Sequence, residues 1–429
     1  MIKTKNNNDF FINSFKVYFI LLLLEGIVRK YLSNQFTIEY IVIRDFILIV
    51  TTIYGIKHGF FKDNEVPERI LFSLTFFVLI WIIIQIILRL ISIKIGLIGF
   101  RNWILFYWFA LVFYRAVNFN DLKKIFKLVT ITFIPISILG IIQYNSPIES
   151  IVNKQVYEDG MILQVIEGVI RPSSVFTFTY NFTQYLTFIT PVILGVTFLY
   201  DEVINKKIYK FLALILLFLI TASSGSRGFI FYFFVIFSIF LILTQKNKSI
   251  FLGIFKVILM GLCFLLFFYI FNDYFKPISI RFVEASTNEN VIIRILHMML
   301  GSFDSWSNIT LFGNGLGLGS NLARPYVSNE NFFLGEFDSD RILNEGGLLG
   351  IIFFILKIIL IYVIISKCIK LKSINYIKYI FSSLFAIYII HQLLFGSITG
   401  HTISNAFTIL GISIFFVISK KDEKFTKLN

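Results

Sequence analysis

Apolar runs of about 18–22 residues recur along the whole chain, the length a helix needs to cross the hydrocarbon of a bilayer. Backbone polar groups in lipid must be satisfied internally, so runs of this length can only be helices packed side by side. Of 429 residues, 57% are hydrophobic and 15% charged, too little charge to coat a soluble domain of this size. Mean hydropathy is +0.82. The reading is an all-α polytopic membrane protein with about twelve transmembrane helices, near 15–33, 37–56, 70–93, 97–117, 124–143, 175–200, 208–222, 227–244, 250–271, 346–366, 376–397 and 403–419. The first run continues through Glu25 without a small-residue cleavage site and is expected to remain as a span.

The net charge of +14 could suggest nucleic acid, but the positive residues sit in short loops between apolar runs, which is a topology signal. Lysines cluster at 3–5, 57–62, 123–127, 206–210, 246–248, 367–372 and 420–424, all on one side when loops alternate. That side is expected to be cytoplasmic, with both termini inside. Arg29, Lys30, Arg89, Lys94 and Arg101 break the pattern. Cys263 and Cys368 lie within or beside spans and suggest no disulfide framework.

Between 272 and 345 the chain leaves the apolar pattern for one large external loop, dividing it into a membrane domain 1–271, the loop, and a membrane domain 346–429. Arg171, Arg227, Arg281, Arg294, Arg324 and Arg341 all fall on the external side. Arginine there is unexpected on topology grounds, and its planar fork suits phosphate. Arg227 lies in a short turn, Ser223-Ser-Gly-Ser-Arg227-Gly228, which is read either as a tight helical hairpin or as a place for a lipid-linked phosphate. Arg171 opens Arg171-Pro-Ser-Ser-Val-Phe176, where an interfacial anchor is the plainer alternative.

Residues 290–305 carry the 3.6 period of an amphipathic helix. Ile292, Ile295, Leu296, Met299 and Phe303 lie on one face; Asn290, Arg294, His297, Asp304 and Ser305 lie on the other. His297 reads as part of an ordinary wet face. The glycine run Gly313–Gly319 follows no buried parallel strand and falls on the external side, which disfavours a dinucleotide fold; a turn bringing backbone close to a head group or sugar is expected. Glu336, Asp338, Asp340 and Glu345 close the loop. They suit a base that deprotonates a sugar hydroxyl, a metal-binding Asp-x-Asp, or a solvated acidic stretch.

Four segments together resemble the O-antigen ligase/polymerase superfamily of bacterial membrane glycosyltransferases, over roughly residues 170–366. They are the Arg171 entry to a span, the Ser226–Gly228 hairpin, the Arg294 helix leading to Phe312–Gly317, and the Glu345–Gly350 start of the next span. The resemblance implies a GT-C-like helical fold and metal-independent, inverting transfer of a glycan from undecaprenyl pyrophosphate outside the cytoplasmic membrane, with no cofactor. Arg171, Arg227 and Arg294 would hold the pyrophosphate. The ligases' histidine base falls here on Glu336, which favours a repeat-unit polymerase of O-antigen, capsule or exopolysaccharide over a ligase and leaves the base among Glu336, Asp338 and Asp340. Arg281, His297, Arg324, Arg341, Glu345 and His401 are further candidates. The implied partners are the lipid-linked oligosaccharide, the bilayer, a chain-length regulator and a flippase, with no nucleic acid. A twelve-span transporter or flippase is the rival from another class, although no repeat of two similar halves is visible. A glycan polymerase of the shape-and-division type is a third reading.

Overall fold

The computed structural model describes residues 5–32, 36–60, 66–156, 164–166, 169–199, 203, 207–245, 250–270, 280, 283, 290–327, 337–372, 375–397 and 401–420. The chain is an all-α, multi-pass membrane protein. Its only described strands form a small antiparallel hairpin, Gln164–Ile166 with Val169–Ile170. A helix lies at each of the twelve expected spans, and among the described residues six helices are long and apolar enough to cross a membrane: Asn8–Leu32, Pro67–Ile87, Ile93–Ala116, Phe119–Tyr144, Leu348–Lys372 and Tyr376–Phe395. Arg227–Leu243 and Thr402–Ile418 are shorter apolar helices.

The residues fall into two compact units, neither contiguous in sequence. One comprises 1–18, 44–122 and 295–429. In it, helices α3 (Val66–Ile87), α4 (Ile93–Phe100) and α5 (Phe106–Ala116) pack with α14 (Leu348–Lys372), α15 (Tyr376–Phe395) and α16 (Thr402–Ile418). A π-helical turn, Arg101–Leu105, joins α4 to α5. Such a turn holds one residue more than an α-turn, and Arg101, Asn102, Trp103 and Ile104 are all buried in it. Three polar contacts leave from these successive positions. Arg101 Nε pairs with Asp45, the Asn102 carbonyl accepts from Asn405 Nδ2 at 2.8 Å, and Trp103 Nε1 donates to Glu345 Oε2 at 3.0 Å.

The other unit comprises 19–43 and 123–294. Helix α7 (Thr179–Leu199) packs against α8 (Lys207–Ser223) and α9 (Arg227–Leu243), and α10 (Ile250–Ile270) packs against α9. Phe218, Phe233 and Phe237 interlock edge-on between α8 and α9, with centroids 5.2 and 5.3 Å apart across the pair.

Two expectations change in detail. The amphipathic pattern over 290–305 is two helices: α11 (Val291–Leu300), begun by Asn290 Oδ1 accepting from Ile292 N at 3.1 Å, and α12 (Phe303–Ser307). Gly301 separates them at φ +88°, because Ser302 turns away to bond Asp340. The apolar periodicity continues across the break and conceals it. Ile292, Ile295 and Leu296 are exposed, as a helix lying on a bilayer needs. Part of the expected external loop is also core: Leu316, Leu318 and Ala323 pack with Trp81, Ile95 and Trp103.

Three of the five basic residues that broke the charge pattern have a carboxylate or an aromatic ring beside them. Arg29 pairs with Glu25 at 3.3 Å, Arg101 with Asp45, and Lys94 lies 5.1 Å from the Tyr326 ring.

Candidate functional site

The Arg171–Phe176 segment is held from three directions within its unit. Gln143, near the end of α6 (Leu122–Tyr144), accepts from Ser173 N at 3.1 Å and Ser174 N at 2.6 Å through Oε1, while its Nε2 donates to Ser174 O at 3.3 Å. Ser174 Oγ donates to Ile136 O at 2.7 Å. Lys30 Nζ donates to Ser173 Oγ at 2.7 Å and Ser174 O at 3.0 Å. Gly26 meets the same turn so closely that a Cβ would lie 2.0 Å from Val175 O. Ser174 is kept at φ +47°, a left-handed conformation uncommon for serine. Arg171, itself half-buried, directly precedes this fixed turn.

Arg227 is the first residue of α9. Ser226 caps that helix, its Oγ accepting from Phe229 N at 3.3 Å, and Gly225 supplies the turn at φ +62°. The connection from α8 is therefore the tight hairpin that small residues predict. It also sets a guanidinium at a helix N-terminus, where the backbone already favours an anion. A Cβ built on Gly228 would meet nothing within 4 Å, so the space beside Arg227 is open. Arg294 is half-buried on α11.

The acidic stretch is sorted by its contacts in the other unit. Glu336 and Arg281 lie outside the described residues. Asp338 and Asp340 occupy the first turn of α13 (Asp338–Gly346), the end at which carboxylates are stabilised. Asp338 Oδ2 pairs with Lys357 at 3.1 Å, and Oδ1 lies 3.7 Å from Arg341. Asp340 Oδ1 accepts from Ser302 N at 2.6 Å, Ser302 Oγ at 2.9 Å and Ser305 Oγ at 2.7 Å. Ser339 Oγ donates to His297 O at 3.0 Å, so the backbone of His297, itself half-buried, docks on α13. The two aspartates thus face different partners, and each fastens α13 to a neighbour.

Glu345 is 2% exposed and fully engaged. Its Oε1 accepts from Gly319 N at 2.7 Å, and its Oε2 accepts from Gly317 N and Trp103 Nε1, both at 3.0 Å. Burial raises its pKa, opposed by the Arg341 charge and by these donors. The glycine run was expected to bring backbone to a head group or sugar; its backbone instead approaches protein. Gly317 packs on Gly99, and the loop N–H groups cradle Glu345. Gln85 completes the latch, accepting from Leu316 N at 2.9 Å and donating to Phe312 O at 2.6 Å.

Arg341 is 1% exposed, runs past Gly319 and donates to Ser397 Oγ at 3.1 Å. His401 precedes α16, with Nδ1 3.5 Å from Asn321 Nδ2. Burial first, then the nearby Arg341 charge, lowers its pKa to about 4, against a smaller opposing effect of Asp338. His401 is therefore neutral at pH 7. Arg324 is exposed in the turn Arg324–Tyr326.

Lys30, Gln85, Trp103 and Gln143 were not singled out as site residues by sequence reasoning. A signal existed for three of them: a lone Lys or Gln inside an apolar run has to be satisfied by partners in the bundle. Trp103 carries no such mark among so many aromatics. The chain matches no family model and no curated protein sequence.

Proposed function

We propose that the chain is a polysaccharide polymerase of the O-antigen ligase/polymerase type. It would join undecaprenyl-pyrophosphate-linked oligosaccharide units outside the cytoplasmic membrane of a bacterium, with twelve spans, a GT-C-like arrangement and both termini inside. The observation that carries this reading is the fixed turn beside Arg171. A buried glutamine and a close glycine contact fix the turn Ser173–Val175, which directly follows Arg171 in the chain.

In this reading Arg171, Arg227 and Arg294 bind the diphosphate and stabilise charge that grows on it as the bond to the sugar breaks. The acceptor hydroxyl oxygen attacks the anomeric carbon from the opposite side, inverting it. The proton passes to a carboxylate as the new bond forms, and undecaprenyl pyrophosphate departs. The base is assigned to Glu336. The contacts of Asp338 with Lys357 and of Asp340 with Ser302 and Ser305 support anchoring roles for those two residues. With guanidiniums meeting the diphosphate, no divalent metal is needed.

Glycan banding of a deletion strain tests the proposal. Surface glycan reduced to one repeat unit supports a polymerase. Free polymer with no attached glycan points to a ligase, and unchanged banding removes both.

A further inference from the structure

Among the described residues, the cation beside the Arg171 turn has no counter-charge. Lys30 lies in the π-helical turn Val28–Leu32 and is 4% exposed. Its two acceptors, Ser173 Oγ and Ser174 O, are both neutral, and no further partner of its ammonium is found among the described residues. Its neighbour Arg29 shows the ordinary solution, an ion pair with Glu25. Burying an ammonium without an opposite charge is strongly unfavourable, so a ligand that brings one would be held at this position.

Anchoring the turn is a weak reason for the lysine, because Gln143 already makes three hydrogen bonds to Ser173 and Ser174. Donors are also left over. An ammonium has three protons and Lys30 uses two; Ser173 Oγ accepts from Lys30, and its own proton has no acceptor among the described residues. One oxyanion would accept both remaining protons and neutralise the charge.

We infer that Lys30 and Ser173 form a subsite for a phosphate oxygen, two residues along the chain from Arg171, and that it takes part of the diphosphate of the polyprenyl donor. The inference rests on the function proposed above. Lysine suits this role as a point charge, whereas the arginines supply the directed forks.

The test uses the full-length protein in lipid nanodiscs with three probes: undecaprenyl pyrophosphate, undecaprenol and inorganic pyrophosphate. Lys30→Met should weaken undecaprenyl pyrophosphate by about tenfold or more, the loss expected of one charge-assisted hydrogen bond. Undecaprenol binding should not change. The melting temperature without ligand should hold or rise, since an uncompensated charge has gone. Lys30→Arg should retain part of the diphosphate affinity. Equal loss of both lipids with a lower melting temperature would make Lys30 an anchor and overturn the inference. Wild-type diphosphate binding indifferent to Lys30 would remove the subsite while leaving the donor reading intact. Lys30-dependent binding of inorganic pyrophosphate, with no lipid binding, would keep the subsite and remove the lipid donor. If Lys30→Met does not fold, Ser173→Ala, which removes only a hydroxyl, must itself weaken the diphosphate selectively for the inference to stand.

Discussion

Glu345 Oε1 accepts a hydrogen bond from Gly319 N at 2.7 Å, tying the end of α13, just before a membrane helix, to a glycine run 26 residues earlier. With Gly317 N and Trp103 Nε1 on the other oxygen, the carboxylate is a structural latch. Glu345→Gln keeps the shape but turns an amide N–H₂ toward donors. It should cost roughly 1–3 kcal/mol, the usual penalty for unsatisfied buried polar groups. Thermal unfolding in detergent measures this. An unchanged melting temperature with lost polymer would instead put Glu345 in the chemistry.

The two glycines of the Gly99–Gly317 contact should tolerate no side chain. A Cβ on Gly317 would lie 2.6 Å from Gly99 N, and the residue sits at φ +94°. Gly317→Ala is expected to destabilise by about 2 kcal/mol or more, combining overpacking with backbone strain. Gly228→Ala is the contrasting case: its Cβ meets open space, so stability should hold or improve. A shorter polymer from a stable Gly228→Ala variant would show that substrate uses that space beside Arg227.

Arg227→Lys keeps the positive charge at the start of α9 but loses the fork. Polymer formation should fall about tenfold or more, matching one lost charge-assisted hydrogen bond of roughly 1.5–3 kcal/mol. Stability should be unaffected because the Ser226 cap remains. Wild-type chain lengths from a membrane preparation of this variant would favour a purely structural hairpin.

His401 gives a pH signature. Its folded pKa, about 4, lies below the ordinary 6.5, so between those values the unfolded chain binds more protons than the folded one. Stability should therefore fall as pH drops from about 6.5 toward 4, with the His401 contribution exhausted below that. His401→Gln should flatten the slope in that window, as read from melting temperatures across pH. Identical slopes in the two proteins would place the imidazole in a solvated setting.

Carboxylates in the same stretch should separate by phenotype. Asp340→Asn weakens an acceptor serving three donors and should lower the melting temperature along with activity. Glu336→Gln should abolish polymerisation while leaving stability and donor binding largely intact. Normal polymer from Glu336→Gln, with loss in Asp338→Asn, would move the base to Asp338.

The length of the apolar runs was enough to place a helix at each of the twelve expected positions, and six described helices are long and apolar enough to cross a bilayer, where the backbone must satisfy itself within each run. The break at Gly301 escaped detection because apolar spacing persists across it, and only the pull of Asp340 on Ser302 reveals it. Residue type and the family resemblance singled out Arg171, Arg227 and Arg294 for the phosphate role proposed above, since a guanidinium keeps its charge and its fork wherever it lies. What each carboxylate does was decided by partners remote in sequence. Glu345 is a latch because Trp103, 242 residues away, and the glycine run fold onto it. Lys30, 143 residues before Ser173, is visible in the sequence only as a charge out of place. Local spacing records the helix a residue belongs to, but a buried polar group takes its role from whichever donors and acceptors tertiary packing places within about 3 Å of it.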